Sequence, residues 1–125
     1  MNLLKKTIIV IALSGITFNA YSKEGKEIFD NYCTTCHSTS MASMFNAPAV
    51  HDLNAWSLRK EDAFKRAVEK NTSIKGDEKR EENIINELLN TAINGTAKGM
   101  PPKGTCFECT DDELRAAIKF MSSKE

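Results

Sequence analysis

The stretch Cys33-Thr34-Thr35-Cys36-His37 follows a short helical pattern near the beginning of this 125-residue chain. It has the form C-x-x-C-H, the attachment signature for c-type haem. Two thiols at this spacing can add to the two vinyl groups at one edge of a porphyrin, and the adjacent histidine can then supply an axial nitrogen to the iron. The motif therefore predicts covalent attachment of one haem through Cys33 and Cys36, with His37 as an iron ligand.

A zinc site and a redox-active dithiol are the other interpretations of C-x-x-C. Zinc ribbons place their second cysteine pair about 15–20 residues further on, whereas 69 residues separate Cys36 from Cys106. A thioredoxin-type pair needs a βαβ context, and the pattern around this pair is helical. The spacing and context therefore favour haem, and an absorption spectrum would distinguish the three.

The N-terminus has the pattern of a secretory signal. Lys5 and Lys6 precede a short apolar stretch at residues 8–16, and Ala20-Tyr21-Ser22 has the small-x-small form of a cleavage site. A membrane-spanning helix needs about 20 apolar residues, more than this stretch offers. We therefore expect residues 1–22 to be a cleaved signal peptide and residues 23–125 to form one domain.

The charge balance of the expected mature chain is close to neutral. Removing residues 1–22 takes away two lysines and no acidic residue, which leaves 15 basic and 17 acidic residues and a net charge of −2. A nucleic-acid-binding domain is normally basic, so a nucleic-acid partner is not expected. Export also places the cysteines in an oxidising compartment, where thiols tend not to remain free.

The remaining pattern predicts an all-α domain of about four helices. They cover about residues 23–32, 60–70, 77–94 and the segment after Thr110, with loops at 38–57 and 95–109. Gly95 occupies the position after the third helix where a glycine is favoured. Thr110 and Glu113 form a capping box, and the apolar face of the last helix comprises Leu114, Ala117, Ile118 and Met121.

In combination, several motifs resemble the class I cytochromes c. Gly25-x-x-x-Phe29, the C-x-x-C-H stretch, Met100-Pro101-Pro102 and the final helix occur in the family's order. The segment 100–114, with its extra cysteine pair, is similar to the cytochrome c-five subgroup. This resemblance implies a small helical fold packed around a covalently bound haem, with helices one and four in contact through Gly25, Phe29 and Phe120.

The resemblance implies that Met100 is the second axial ligand. A thioether is a neutral, soft ligand that raises the reduction potential, and the two following prolines restrict the loop. Met100 could instead fill a gap in the core. Met41 and Met44 are weaker ligand candidates that would pack in the haem pocket, and His51 is an alternative ligand that more often serves as a surface or hydrogen-bonding residue.

Three further residues match the family's haem environment. Pro48 corresponds to the proline whose carbonyl accepts the Nδ1 proton of the haem histidine, although Asn46 replaces the glycine usual before this segment. Trp56 and Arg59 stand as W-x-x-R, similar to the family's contacts with the haem propionates, since an indole N–H and a guanidinium suit a carboxylate. Core packing is the alternative role for Trp56.

The middle of the chain departs from the family pattern. The segment from about residue 60 to 82 is longer than the subgroup leads us to expect. Its charged run at residues 78–82 is interpreted as a solvated helix face. A docking surface is the other interpretation.

The second pair, Cys106 and Cys109, corresponds to the extra cysteines of the subgroup. Export and the short spacing favour a disulfide that holds the loop after Met100. A redox-active dithiol is the alternative, but the acidic start of the last helix disfavours a thiolate at Cys109.

The resemblance implies a soluble periplasmic electron carrier and not an enzyme. Both axial positions of the iron would be filled, and electrons would pass between respiratory-chain partners such as an oxidoreductase and a terminal oxidase. The cytochrome c maturation machinery would attach the haem, and membrane contact would arise only through partners. An enzyme or sensor with an open iron site is the second hypothesis, and a haem-free module is the third.

Overall fold

The computed structural model describes residues 20–125, and every regular element in that range is helical. The predicted signal peptide lies outside the described residues as far as residue 19. Within residues 20–125, no helix combines the length and apolar character that crossing a bilayer requires. The all-α prediction is confirmed.

The first helical segment is longer than predicted and contains the C-x-x-C-H stretch. Helix α1 (Ala20–Ile28) continues through a π-helical turn (Phe29–Cys33) into the short helix α2 (Thr34–His37). In the wide turn, the N–H of Thr34 donates to the carbonyl of Phe29, five residues earlier. Since neither glycine nor proline occurs between residues 26 and 37, nothing in the sequence ends the helix at residue 32.

Helix α3 (Leu53–Lys70) begins seven residues before the predicted start at residue 60. The Asp52 carboxylate accepts a hydrogen bond from the backbone N–H of Ala55 at 3.0 Å, which caps the helix at its N-terminus. The predicted loop at 38–57 is therefore too long, because its last five residues are helical.

Helix α4 (Arg80–Asn94) begins three residues later than predicted. Lys79, with φ of 56°, has the left-handed conformation that interrupts a right-handed helix. At the other end, Gly95 has φ of 70°, as its predicted C-terminal role requires. The apolar residues that repeat at helical spacing in this segment predict its buried face: Ile84, Ile85, Leu88, Leu89, Ala92 and Ile93. All of them are buried except Ile93, which is partly buried.

Helix α5 (Asp111–Met121) has the predicted capping box. The hydroxyl of Thr110 accepts from the N–H of Glu113 at 3.2 Å, and the Glu113 carboxylate accepts from the N–H of Thr110 at 2.7 Å. All four residues of the predicted apolar face are buried: Leu114, Ala117, Ile118 and Met121.

The helices pack as two contacting pairs. Helix α1 lies against α5, α3 lies against α4, and α4 also contacts α5. At the first contact, the rings of Phe29 and Phe120 are 5.6 Å apart between centroids. A Cβ atom on Gly25 would collide with the Ala116 carbonyl. The predicted contact through Gly25, Phe29 and Phe120 is confirmed.

The charged run at residues 78–82 is only partly a solvated face. Arg80 forms an ion pair with Glu61, and its guanidinium lies 3.9 Å from the centre of the Phe64 ring. Glu81 pairs with Lys60 at 3.1 Å. These contacts join α4 to α3, so the inner residues of the run contribute to helix packing.

Candidate functional site

The two thiols of the C-x-x-C-H stretch are free and lie on consecutive helical turns. Cys33 ends the π-helical turn and Cys36 belongs to α2; both are partly buried. Burial raises the pKa of the Cys33 thiol to about 11, and the neighbouring Cys36 contributes in the same direction. Both thiols are therefore available for covalent attachment, and Cys33 is protonated at neutral pH.

His37 is buried and held in one orientation. Its Nδ1 lies 2.8 Å from the carbonyl oxygen of Pro48. Because a carbonyl can only accept, Nδ1 carries the proton and Nε2 remains available as a metal ligand. Burial lowers the pKa of His37; the hydrogen bond to Pro48 opposes this shift, and the positive charge of Arg59 adds to it. The hydrogen bond implied by the family resemblance is thus present.

Trp56 packs beside His37 in the core. The two rings are nearly parallel, at 19°, with centroids 6.1 Å apart. The indole N–H, the only polar group of this side chain, donates to the carbonyl of Ala49 at 2.8 Å. In this structure the donor that the propionate role requires is therefore already engaged.

Arg59 lies beside the loop that precedes Pro48. One of its N–H groups donates to the carbonyl of Asn46 at 2.9 Å, and a guanidinium has five N–H donors in total. The residues next to this pair in the chain, Phe45 and Leu58, are exposed apolar side chains, as is Met44. The two stretches of chain that meet at the Arg59–Asn46 hydrogen bond thus carry exposed apolar side chains.

The backbone at Met100 is fixed by hydrogen bonds to a single threonine. The N–H of Thr96 donates to the Met100 carbonyl at 2.9 Å, and the Met100 N–H donates to the Thr96 hydroxyl at 3.2 Å. A Cβ atom on Gly95 would lie 2.5 Å from the Met100 oxygen. Glycine is therefore needed at position 95 for this loop to close, and the Met100 side chain is partly buried against the core.

The turn after Met100 abuts the cysteine-bearing segment. Pro102–Thr105 forms a 3-10 turn in which Lys103 and Gly104 have left-handed conformations. A Cβ atom on Gly104 would lie 3.9 Å from the carbonyl oxygen of Tyr32, the residue before Cys33. The structure therefore brings the Met100 loop to the haem-attachment stretch, although they are far apart in sequence.

Cys106 and Cys109 are joined by a disulfide, as predicted. Both cysteines are buried, and Lys103 donates from Nζ to the Cys109 carbonyl at 2.9 Å. The disulfide thus closes the loop at a point fixed to the turn that follows Met100.

We expect a double Cys106→Ser, Cys109→Ser variant to lose stability but to keep its function. A ring this small contributes roughly 2 kcal/mol at most in the chain-entropy model, and about 4–8 °C per kcal/mol is typical for a domain of this size. Calorimetry should show a lower melting temperature, while the absorption spectrum and reduction potential stay unchanged. Free thiols in the native protein, or an unchanged melting temperature, would contradict the structural role.

The second histidine of the chain, His51, is directed towards the end of α5. Its Nδ1 donates to the carbonyl of Ser123 at 2.7 Å, and its ring contacts Phe120 edge-on at 4.8 Å. It therefore has the hydrogen-bonding role that the sequence offered as the alternative to iron ligation.

Sequence reasoning missed two residues that shape the site, Asp52 and Thr96, and it did not predict the partner of His51. Asp52 starts α3 and thereby places Trp56 and Arg59 on a helix. Its sequence signal, an aspartate just before a helical pattern, was available. Thr96 acts through contacts within its loop, and His51 acts through a long-range contact with Ser123. No local sequence pattern predicts either contact.

Comparisons with known proteins place these features in a family. Residues 20–121 match the family described as "Cytochrome C oxidase, cbb3-type, subunit III". The chain is 36% identical to a cytochrome c5 of Azotobacter vinelandii over 101 residues, which cover 81% of this chain and 94% of the relative. It is 32% identical to a cytochrome c5 of Ectopseudomonas mendocina over 101 residues, 81% of this chain and 90% of the relative.

A third relative is the cytochrome c-555 of Chlorobaculum tepidum, 32% identical over 111 residues, which cover 89% of this chain and 83% of the relative. No solved structure matches the chain.

Proposed function

The chain belongs to the class I c-type cytochromes, and we propose that it is a periplasmic one-electron carrier whose haem iron is ligated by His37 and Met100. Its relatives are named cytochromes, and like them it is an electron-transport protein with covalently bound haem c and not an enzyme. The expected signal peptide, residues 1–22, and the mature domain, residues 23–125, belong to this proposal.

The observation that carries the proposal is the state of His37. Its buried ring is fixed by the Pro48 carbonyl, and the lowered pKa keeps it neutral at neutral pH. A neutral imidazole protonated at Nδ1 presents Nε2 to a metal, and an acceptor at Nδ1 makes that nitrogen a stronger donor. The two free thiols at positions 33 and 36 would form the thioethers to the porphyrin, so these three residues fit haem c and would attach a single haem.

The surrounding residues suit the rest of a haem. Exposed apolar side chains at Met44, Phe45 and Leu58 would be covered by a porphyrin, whose apolar face favours burial. Arg59 would bind a propionate with its remaining N–H groups. Trp56 would line the site. Its indole N–H could bind a propionate together with Arg59 only if its hydrogen bond to the Ala49 carbonyl were broken.

Met100 is the sixth ligand that the structure favours. Its backbone is fixed by Thr96, its loop abuts Tyr32, and its side chain is partly buried. Met44, by contrast, is 75% exposed. When bound, the haem supplies a reversible one-electron couple; with both axial positions filled by protein, no substrate would reach the metal.

The partners follow from the proposed role. A respiratory oxidoreductase would donate electrons and a terminal oxidase would accept them. The cytochrome c maturation machinery would form the thioethers after export. We propose no nucleic-acid partner, and contact with the membrane only through these proteins.

Covalent haem attachment is tested on the exported wild-type protein. We expect mass spectrometry of the denatured chain to show haem retained, and a pyridine haemochrome spectrum to show haem c, because two thioethers survive unfolding. A Cys33→Ser, Cys36→Ser variant is the matched control and should release its haem on acid–acetone extraction. Release of haem from the wild-type protein by the same extraction would refute the proposal.

A further inference from the structure

We infer that His51 is a positioning residue. By fixing residues 48–52 to the end of α5, it keeps the Pro48 carbonyl hydrogen-bonded to the haem ligand His37. This inference rests on the proposed function, since it concerns how strongly His37 donates to iron. The five residues 48–52 connect Pro48, whose carbonyl accepts the hydrogen bond from His37, to Asp52, which caps α3.

His51 is fixed to the end of α5 and to Ser123, just beyond that helix, by three contacts. Its backbone N–H donates to the carbonyl of Met121 at 2.8 Å. Its Nδ1 donates to the carbonyl of Ser123 at 2.7 Å, and its ring lies edge-on against Phe120 at 4.8 Å. Two of the three contacts require the side chain.

His51 has an unfavourable backbone conformation. Its φ is 60°, in the left-handed region that residues with a Cβ rarely adopt. Strained conformations persist where surrounding contacts over-determine them. At this position the contacts with the end of α5 are available to stabilise the conformation.

The segment 48–52 holds His37 at two points. The Pro48 carbonyl accepts from Nδ1 of the ring at 2.8 Å, and the N–H of Val50 donates to the His37 carbonyl at 2.7 Å. Between them, the carbonyl of Ala49 accepts from the Trp56 indole at 2.8 Å. Residues immediately before His51 therefore set both the ring and the backbone of His37.

The consequence concerns the electron density on the imidazole. A short hydrogen bond from Nδ1 to a carbonyl makes Nε2 a stronger donor, which favours ferric iron. If the 48–52 segment loosens from α5, the Pro48 bond lengthens and the donor weakens. The reduction potential should then rise, and the Nδ1 proton should exchange faster with solvent.

The experiment compares two variants of the haem-loaded protein. His51→Gly permits the left-handed backbone but removes the ring. His51→Asn tolerates the same conformation and keeps a side-chain N–H for the Ser123 carbonyl. Lys79→Gly is the matched control, because Lys79 is an exposed non-glycine residue with φ of 56° at the start of α4.

Two quantities are measured: the midpoint potential, by a spectroscopic redox titration, and the exchange rate of the His37 Nδ1 proton, by NMR. His51→Gly is expected to raise the potential and to accelerate exchange about tenfold, the effect of losing about one hydrogen bond. His51→Asn should restore most of both values, and Lys79→Gly should leave the exchange rate unchanged.

A purely structural His51 would give a different result. If His51→Gly lowers the melting temperature while potential and exchange rate remain those of the wild type, the inference is overturned. A chain ending at Ser122, which removes the Ser123 carbonyl and keeps His51, should shift both quantities in the same direction as His51→Gly. This second variant decides the question if His51→Gly does not fold. Failure of the proposed function is recognised separately, because the wild-type protein would then lack covalent haem or His37 ligation.

Discussion

Met100→Ala is expected to abolish the weak far-red absorption band of the oxidised protein, to lower its reduction potential and to open the reduced iron to carbon monoxide. If Met100 ligates the iron as proposed, this band would arise from charge transfer between its sulfur and the iron and would disappear with the sulfur. A neutral thioether favours ferrous iron, so its loss lowers the potential. Because axial ligands span about 0.8 V across haem proteins, the fall should be large compared with the effect of a surface charge.

The structure indicates that the loop itself survives this substitution. Thr96 holds Met100 through backbone atoms and its own hydroxyl, and Gly95 packs against the Met100 carbonyl; neither contact uses the methionine side chain. The variant should therefore lose a ligand without losing the fold. Visible and near-infrared spectra, a redox titration and carbon monoxide binding measure the three effects.

The controls are Met41→Ala and Met44→Ala, which should retain the band and the closed iron. If the band survives in Met100→Ala, one of these two methionines is the ligand. If the reduced wild-type protein already binds carbon monoxide readily, the iron is open, and an enzyme or sensor replaces the carrier as the better description.

The features that sequence reasoning predicted well are those encoded locally. The capping box at Thr110 and Glu113, the glycine at position 95 and the apolar faces of α4 and α5 all depend on residues within two turns of one another. The C-x-x-C-H stretch is equally local, because its chemistry requires fixed spacing. At these positions the residues that cause the structural feature are also the residues that form the sequence pattern.

The errors arose where tertiary contacts override local pattern. Glu61 lies four residues before Lys65, and Arg66 four residues after Asp62, so both have the spacing that predicts an ion pair within α3. The structure instead pairs Glu61 with Arg80 and Arg66 with Glu87, both on α4. Glu87 is buried and binds both Arg66 and Lys70, at 3.2 and 2.6 Å. A sequence does not show which of several spaced charges will meet across a helix pair, so the extended middle segment could not be interpreted before its partners were seen.

The candidate site likewise combines features that could be predicted from the sequence with contacts that only the fold determines. Pro48 could be placed by resemblance, and its bond to His37 is present. The indole N–H of Trp56 donates to the carbonyl of Ala49, and this contact depends on where α3 begins after Asp52. His51 reaches Ser123 across 72 residues. Resemblance thus identified the residues around His37, while the contacts that set their orientation required the structure.

Gly25→Ala is expected to destabilise the protein, although alanine favours a helix more than glycine does. In an isolated helix alanine would be more favourable than glycine by about 1 kcal/mol. Here the added Cβ would collide with the backbone carbonyl of Ala116, and it would lie 3.1 Å from the Cβ of Phe120. Forcing extra atoms into a packed contact typically costs about 1–3 kcal/mol, and a backbone carbonyl cannot rotate away as a side chain can.

Because the clash is with backbone, we take the upper end of that cost, and the gain in helix propensity then leaves a net loss of about 2 kcal/mol. This corresponds to about 8–16 °C in melting temperature for a domain of this size. Glu27→Ala, at an exposed position of the same helix, is the matched control and should change stability little.

Gly25→Ala should also reduce haem attachment. Because α1 runs without interruption into Cys33 and His37, separating α1 from α5 displaces the attachment stretch from the Met100 loop, and the yield of haem-loaded protein should fall with the melting temperature. Wild-type stability and haem yield in Gly25→Ala would show that α1 does not depend on this close contact with α5.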